Sequence, residues 1–369
     1  AGGLAHRGDA RERTRPAPLP TAVPNDNRVP AGTLRDGVLT LALEARPTMW
    51  HPDGDSLPGM PVEAFAEAGR APTAPGPLVR VPAGTALRFT VRNALPHDTL
   101  TFYVPARVAG DARGTALDSI VLVPGASGEL RVHAARPGSY VYRANGRTAL
   151  DRVLRMRGLL GGALIVDSTA APPRDRVFVL LGINDSLTSY GVPVTERAVV
   201  AVNGRAWPRT ERLAVTVGDT VRWRLLNASA DVHPMHLHGF YFRVDDFDAP
   251  PSAMAAAGPP GRMVVTERML PYTTMTVTWV PERAGNWLFH CHYQPHARPH
   301  RPLGPEPATA ARAAPHGAMP HAAMAHEMGG LVMGVHVRPH AGARAATAAP
   351  RVAPRELRLV AERDAGFPD

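Results

Sequence analysis

Residues 83–94, AGTALRFTVRNA, and residues 217–228, VGDTVRWRLLNA, share a glycine near the start, an Asn-Ala ending and alternating apolar positions between them. ARPGSYVYRAN at 135–145 and ERAGNWLFHCH at 282–292 line up in the same way. The matched glycines are 134 residues apart in the first pair and 147 apart in the second. Alternation with a period of two is typical of strands that bury one face. Self-similarity over a whole domain length predicts two copies of one β-fold.

Strand-like runs account for most of the chain. Short alternating runs broken by Gly and Pro occupy residues 37–167, and a second series occupies residues 177–337. We therefore predict an all-β protein with two Greek-key sandwich or barrel domains in tandem, at 28–170 and 171–340. Residues 1–27 are rich in Ala, Arg and Pro without periodicity, and we predict a flexible tail there.

The C-terminal residues 341–369 begin as an Ala, Arg and Pro linker and then alternate again in RELRLVAER, at 355–363. An isolated strand cannot bury its face alone. We expect this segment either to dock back on the fold or to begin a third domain.

Composition and charge argue against two kinds of partner. The formal net charge is +9, but the arginines are scattered without a basic cluster or an aromatic platform, so we expect no nucleic-acid partner. No apolar run reaches eighteen residues, so we expect no membrane span.

The sequence opens without a basic and apolar leader, and we expect a periplasmic or secreted protein whose signal has been removed. The single cysteine rules out an internal disulfide.

Two histidine-rich motifs carry the chemistry, HPMHLHG at 233–239 and HCHYQPH at 290–296. Successive side chains of a strand point to opposite faces. We therefore expect His290 and His292 to share one face of their strand and Cys291 to point to the other.

His236 and His238 share a face of their own strand by the same alternation, so four imidazoles gather on one side and the thiol lies on the other. A thiolate with two imidazoles and a weak axial group makes a blue-copper electron-transfer site. Four imidazoles suit copper ions that bind oxygen. Zinc is the competing metal, but structural zinc sites favour several cysteines in knuckle spacing, and this chain has one.

HPMHLHGF and FHCHYQPH resemble the two C-terminal copper motifs of multicopper oxidases, the laccase-like enzymes built of cupredoxin domains. PGPLVRVPAGTALRFTVRNALP, at 75–96, resembles the first cupredoxin domain of that family. The resemblance implies oxidation of a phenol, aromatic amine or metal ion at a type 1 copper, coupled to O2 reduction at a trinuclear copper cluster. Carried over by position, the type 1 ligands are His233, Cys291 and His296, the type 2 ligand is His236, and the type 3 ligands are His238, His290 and His292. Cys291, His290 and His292 then form the catalytic path between the centres.

The axial type 1 ligand departs from the family pattern, because the position five residues after His296 holds an arginine, which cannot be that ligand. We interpret the Pro-, Ala-, His- and Met-rich stretch 297–327 as an insertion, either a copper-capturing segment or a low-complexity loop. Met328 is then the predicted axial ligand. Counting backward from the following strand gives His326 as the type 1 histidine and Leu331 as the axial neighbour. We favour His296 because the Cys-x4-His spacing is intact.

The first copy lacks the histidines that complete a trinuclear cluster in the family. TLTFYVPAR, at 99–107, carries Tyr103 and Pro105 at the expected positions, and Arg143 and Asn145 stand where a second pair is expected. This chain therefore supplies one half of the cluster.

Three explanations remain for the missing half. It lies in a third cupredoxin domain, which we favour, or on a partner chain, or the cluster has degenerated. The last case leaves a non-enzymatic blue-copper electron-transfer or copper-binding protein. Identical copies cannot complete the cluster, because each lacks the same histidines. Copper nitrite reductase, which also has two cupredoxin domains, resembles the chain less, because its type 1 cysteine lies in the first domain.

Overall fold

The computed structural model describes residues 18–110, 117–146, 158–169, 174–189, 192–249, 258–299, 303 and 328–340. These residues form four β-sheets, two from each half of the chain, which confirms the prediction of two tandem cupredoxin-like domains. Two short 3-10 helices, Ala106–Ala109 and Gln294–His296, join strands. Within the described ranges, no helix has the length and hydrophobicity needed to cross a bilayer.

The first copy packs an eight-stranded sheet against a five-stranded sheet. Its strands are β1 Val23–Pro24, β2 Thr33–Arg35, β3 Val38–Trp50, β4 Met60–Glu67, β5 Pro72–Ala74, β6 Gly76–Pro82, β7 Thr85–Asn93, β8 Leu100–Pro105, β9 Leu117–Leu122, β10 Ser127–Ala134, β11 Gly138–Gly146, β12 Gly158–Leu159 and β13 Gly161–Asp167. The larger sheet runs in the order β1-β5-β4-β3-β7-β10, with β2 beside β3 and β12 beside β4, and the smaller in the order β6-β13-β11-β8-β9.

The second copy packs a six-stranded sheet against a five-stranded one. Its strands are β14 Arg176–Ser189, β15 Val192–Val202, β16 Arg212–Thr216, β17 Val221–Asn227, β18 His233–Leu237, β19 Phe242–Asp248, β20 Met263–Val264, β21 Thr266–Met269, β22 Thr274–Trp279, β23 Gly285–Cys291 and β24 Val332–Arg338. The sheets run β15-β14-β17-β22-β19-β20 and β16-β24-β23-β18-β21.

The repeat extends to individual hydrogen bonds. Asn93 ends β7, accepts the backbone N–H of Leu95 on Oδ1, and donates from Nδ2 to two carbonyls. Asn227 ends β17, accepts the N–H of Ser229 in the same way, and also donates to two carbonyls. Buried amides that use all their polar atoms fix the turn after each strand. The aligned sequences therefore fold into equivalent turns.

Each copy buries its own aromatic core, and a third apolar cluster joins them. β13 is buried at every position, and this explains why its sequence is largely apolar. Leu164 and Val166 face the core of the first copy, whereas Ala163 and Ile165 face the cluster between the copies. A strand covered on both faces needs no polar side.

Buried ion pairs also hold the copies together. Arg80 donates to Asp167 at 2.7 Å and to Asp175 at 2.7 Å, and Arg224 of the second copy donates to Asp175 at 2.6 Å. Burial alone raises the pKa of a carboxyl, but the two guanidinium groups outweigh it and hold the pKa of Asp175 below its usual value. The interface therefore depends on an ionised Asp175.

The tail predicted for residues 1–27 is wrong for its C-terminal part. β1 adds to the sheet as a parallel neighbour of β5, and Asn27 is buried with Nδ2 donating to Asn203 Oδ1 at 2.9 Å. The segment is ordered because its backbone and amide groups find partners in both copies. Residues 1–17, the strand predicted at 355–363 and most of the predicted insertion lie outside the described residues.

Candidate metal centres

β23 carries both candidate centres because it lies between β18 and β24 in the middle of its sheet. In the register with β18, Met235 pairs with Cys291 and His236 pairs with His290. Cys291 is fully buried, His290 is half-buried and His292 is exposed. The structure thus places the thiol on the core side of the strand and the imidazoles on the outer side, as alternation predicts.

The inner group consists of His233, Cys291 and His296, all buried. The two histidine Nδ1 atoms are 3.1 Å apart, and each lies 3.9 Å from Cys291 Sγ. The point equidistant from the corners of this triangle lies about 2.1 Å from each atom, within the roughly 2.0–2.3 Å that imidazole and thiolate ligands keep from a metal such as zinc. The donor atoms therefore fit one metal ion.

A neighbouring serine fixes the tautomer of His233. Ser229 has one hydroxyl proton, and it donates this proton to Asn227 Oδ1 at 2.8 Å, because a carbonyl oxygen can only accept. His233 Nε2, 2.8 Å from the same hydroxyl, must then donate to it. The lone pair of His233 is therefore on Nδ1, the atom that faces Cys291.

Burial sets the protonation of the inner group without metal. Burial, and secondarily the proximity of His296, lowers the pKa of His233 to about 3. Burial also lowers the pKa of His296, although Asp231 opposes the shift. The pKa of the Cys291 thiol is raised to about 11 by burial. Neutral imidazoles are ready to bind a metal, whereas the thiol must first lose its proton.

The backbone of Leu331 is hydrogen-bonded to two members of the inner group, His296 and Cys291. Its N–H donates to His296 O at 2.9 Å, and its carbonyl accepts the N–H of Cys291 at 3.0 Å. The side chain is fully buried in the same apolar cluster as Cys291. Met328, the predicted axial ligand, is half-buried, and His326 lies outside the described residues. The choice between Met328 and Leu331 as the axial residue stays a prediction.

The outer group consists of His236, His238 and His290, whose ligand atoms all lie within 4.8 Å of one another. His236 Nδ1 donates to the carbonyl of Val265 at 2.8 Å, and His290 Nδ1 donates to the carbonyl of Cys291 at 2.8 Å. Both histidines therefore keep a lone pair on Nε2. The pKa of each is lowered mainly by burial, so both are neutral at pH 7.

His292, predicted as a type 3 ligand, lies beside the outer group and outside it. Its ring centroid is 5.9 Å from that of His290, in a stacked arrangement, and 5.3 Å from that of His236. The side chain is exposed. All four predicted outer histidines therefore lie near one another, and three of them, His236, His238 and His290, have ligand atoms within 4.8 Å of one another.

In the first copy an arginine and a tyrosine stand in the corresponding register. β11 pairs with β8 so that Arg143 lies opposite Tyr103, just as His290 lies opposite His236. The Arg143 guanidinium lies 5.3 Å from the Tyr103 ring and 4.0 Å from the ring of Tyr272 in the second copy. Such cation–π contacts stabilise the interface between the copies. This position offers no imidazole ligand and is used for packing.

Sequence reasoning missed Ser229 and its link to His233. The repeat contains a signal, because Ser229 aligns with Leu95 in the first copy at the same offset of 134 residues. A polar residue that replaces an apolar one beside a metal motif indicates a hydrogen-bonding role.

Part of the chain matches a known family model. Residues 181–300 match the family model described as multicopper oxidase. Over 292 residues, 72% of this chain, the sequence is 27% identical to a probable nitrite reductase-hydroxylamine oxidoreductase fusion protein of Kuenenia stuttgartiensis, covering 31% of that protein. It is 29% identical to multicopper oxidase MmcO of Mycobacterium tuberculosis over 113 residues, 29% of this chain and 21% of MmcO. The chain therefore spans less than a third of each of these relatives.

The fold is also similar to that of solved structures. The multicopper oxidase mgLAC superposes with a TM-score of 0.56 at 21% identity, covering 81% of this chain and 86% of mgLAC. At this identity the likeness shows the fold, and the site geometry above carries the chemistry.

Proposed function

We propose that this chain, whose residues 181–300 match the multicopper oxidase family model, is a copper oxidoreductase with a type 1 site formed by His233, Cys291 and His296. The substrate is a small reductant, such as a phenol, an aromatic amine or a metal ion. Copper bound there supplies one-electron redox chemistry. The protein supplies the ligands, dry surroundings and a covalent link to the outer histidines.

The observation that carries the proposal is the buried triangle of two imidazole nitrogens and one sulfur. Two histidines, one cysteine and no strong fourth donor are the ligand set typical of blue-copper sites. His233 is held by Ser229, and Cys291 and His296 are both hydrogen-bonded to Leu331 through the backbone. The ligands are therefore held in place before the metal binds.

Cys291 and His290 are consecutive residues that face opposite sides of β23. One peptide unit thus joins the inner group to the outer group. A covalent route this short favours electron exchange between two bound metals, whichever substrate delivers the electron.

Reduction of O2 to water requires more histidines than the outer group has. Tyr103 and Arg143 occupy the register positions from which the first copy would supply them. We therefore propose that O2 is reduced to water only when another cupredoxin domain or a partner chain brings the missing histidines. Another copy of this chain does not provide them.

Copper loading of the purified full chain tests the proposal. The loaded protein should show an intense thiolate-to-copper absorption that bleaches when a phenolic reductant is added without O2. Cys291→Ser should abolish the absorption, whereas His336→Ala, an exposed histidine on β24, should leave it unchanged. Loaded protein without this absorption would contradict the type 1 assignment, and rapid O2 consumption by the chain alone would contradict the requirement for further histidines.

A second candidate function is a non-enzymatic electron carrier, which the Arg143–Tyr103 pair favours. A carrier should exchange electrons with an artificial acceptor while consuming neither O2 nor nitrite. Nitrite belongs in the assay because the Kuenenia relative is described as a probable nitrite reductase fusion.

A further inference from the structure

We infer that His236, His238 and His290 form a mononuclear copper site that is open to solvent and leaves one coordination position for a small anion. The inference deepens the proposed function and rests on it for the identity of the metal. The resemblance distributes these three residues among separate ions of a trinuclear cluster, whereas the structure directs them to one point.

The free nitrogens of the outer group converge. His290 Nε2 lies 2.9 Å from His238 Nε2, and without metal the His238 Nε2–H donates to it. His236 faces the same space, with its ring centroid 5.0 Å from that of His238 and 5.5 Å from that of His290. Imidazole ligands bind at about 2.0–2.1 Å, so nitrogens on one ion lie roughly 3–4 Å apart. A pair of nitrogens at the 4.8 Å limit would have to close by about 1–2 Å to bind one ion.

Outer-shell hydrogen bonds direct two of the rings toward this point. The carbonyls of Val265 and Cys291 accept the Nδ1 protons of His236 and His290. A second ring nitrogen bonded to a carbonyl is the arrangement that orients ligating histidines and raises their basicity. The outer group therefore does not depend on residues from another chain for its orientation.

The charge of the group favours an anion as the fourth ligand. The group contains three imidazoles and no carboxylate among the described residues, so a divalent ion would keep both charges. The Arg283 guanidinium donates to the carbonyl of Gly239, the residue after His238, and adds positive charge nearby. An uncompensated charge in a half-buried site attracts a counter-ion. His292, which is exposed, lies beside the group on its solvent side.

The experiment compares copper-loaded, chelator-washed full-length proteins by metal content, electron paramagnetic resonance (EPR) and azide titration. His238→Ala should lose about one copper per chain and one Cu(II) signal while keeping the thiolate-to-copper absorption. Cys291→Ser should keep that second signal, and azide should shift it. His336→Ala should match the wild type. Any copper bound by the His- and Met-rich stretch 297–327 is present in every variant, so it cancels when the copper contents of the variants are compared.

Three results for His238→Ala would each overturn the mononuclear site. The variant could keep all its copper, it could lose two or more copper ions per chain, or the copper it loses could be one that gives no EPR signal in the wild type. A second signal indifferent to azide would overturn the anion position. The proposed function fails separately, through absence of the thiolate-to-copper absorption in the wild type. In that case the azide-sensitive signal of Cys291→Ser still decides the inference.

Discussion

Replacing Ser229 with alanine should weaken copper binding at the inner site without removing a ligand. The substitution deletes the acceptor of the His233 Nε2 proton, 2.8 Å away, in a fully buried place. A buried donor left without a partner costs about 1–3 kcal/mol. His233 can avoid that cost by moving the proton to Nδ1, but Nδ1 is the atom that must bind the metal. Loss of such outer-shell partners typically weakens metal affinity by about 10–100-fold, or about 1.4–2.8 kcal/mol.

The affinity is measured by competition between the protein and a copper chelator, with the thiolate-to-copper absorption as the signal. Ser229→Thr keeps the hydroxyl and should recover most of the affinity. Leu95→Ala, at the aligned position of the first copy, should lower the free energy of unfolding by about 2–5 kcal/mol and leave the affinity unchanged. If Ser229→Ala binds copper within twofold of the wild type, the tautomer argument is refuted.

Three further predictions concern the axial residue and the interface. If Leu331 is the axial neighbour, Leu331→Met brings a thioether to the ion and should change the thiolate-to-copper absorption and lower the reduction potential measured by redox titration, whereas Met328→Leu should change neither. Asp175→Asn should lower the free energy of unfolding, measured in urea, by about 3 kcal/mol at pH 7, because two buried arginines lose their ionised partner. Its folded pKa is depressed, so wild-type Asp175 stabilises the fold above pH ~3.9 and the difference should shrink as the pH falls below that value. Asp246→Asn should instead raise stability at pH 7, because burial, and then Asp248, raises the pKa of Asp246 and its charge destabilises the fold. The difference between variant and wild type should begin to shrink as the pH falls through the raised folded pKa, and should disappear below the unfolded value of about 3.9.

The parts of the fold that sequence predicted best were those with strict alternation. β7 alternates buried and exposed positions along its whole length, and its repeat, β17, occupies the equivalent place in the second copy. β1 could not be predicted, because Val23 and Pro24 add to the sheet through backbone pairing that leaves no pattern in the side chains. The apparent linker before Arg28 is part of the fold for that reason.

For the metal centres, alternation was enough to separate Cys291 from His290, because facing is a property of the strand itself. It could not give the tautomers, which depend on Ser229 and on the carbonyl of Val265, residues brought close by tertiary structure. Nor could it choose between Met328 and Leu331, because that choice depends on how the chain returns to β24 after the intervening stretch.

Because β23 carries ligands on both of its faces, its own length cannot change without moving those ligands. Insertion or deletion of one residue between Gly285 and Cys291 would turn the thiol outward and the imidazoles inward, and both centres would be lost together. The two copies nevertheless differ in length, because their matched glycines are offset by 134 residues before and 147 residues at this strand. The 13 additional residues of the second copy lie between residues 228 and 282, where it has five strands, β18 to β22, against three, β8 to β10, in the first copy. Length has therefore changed outside β23, where the faces of that strand are not affected.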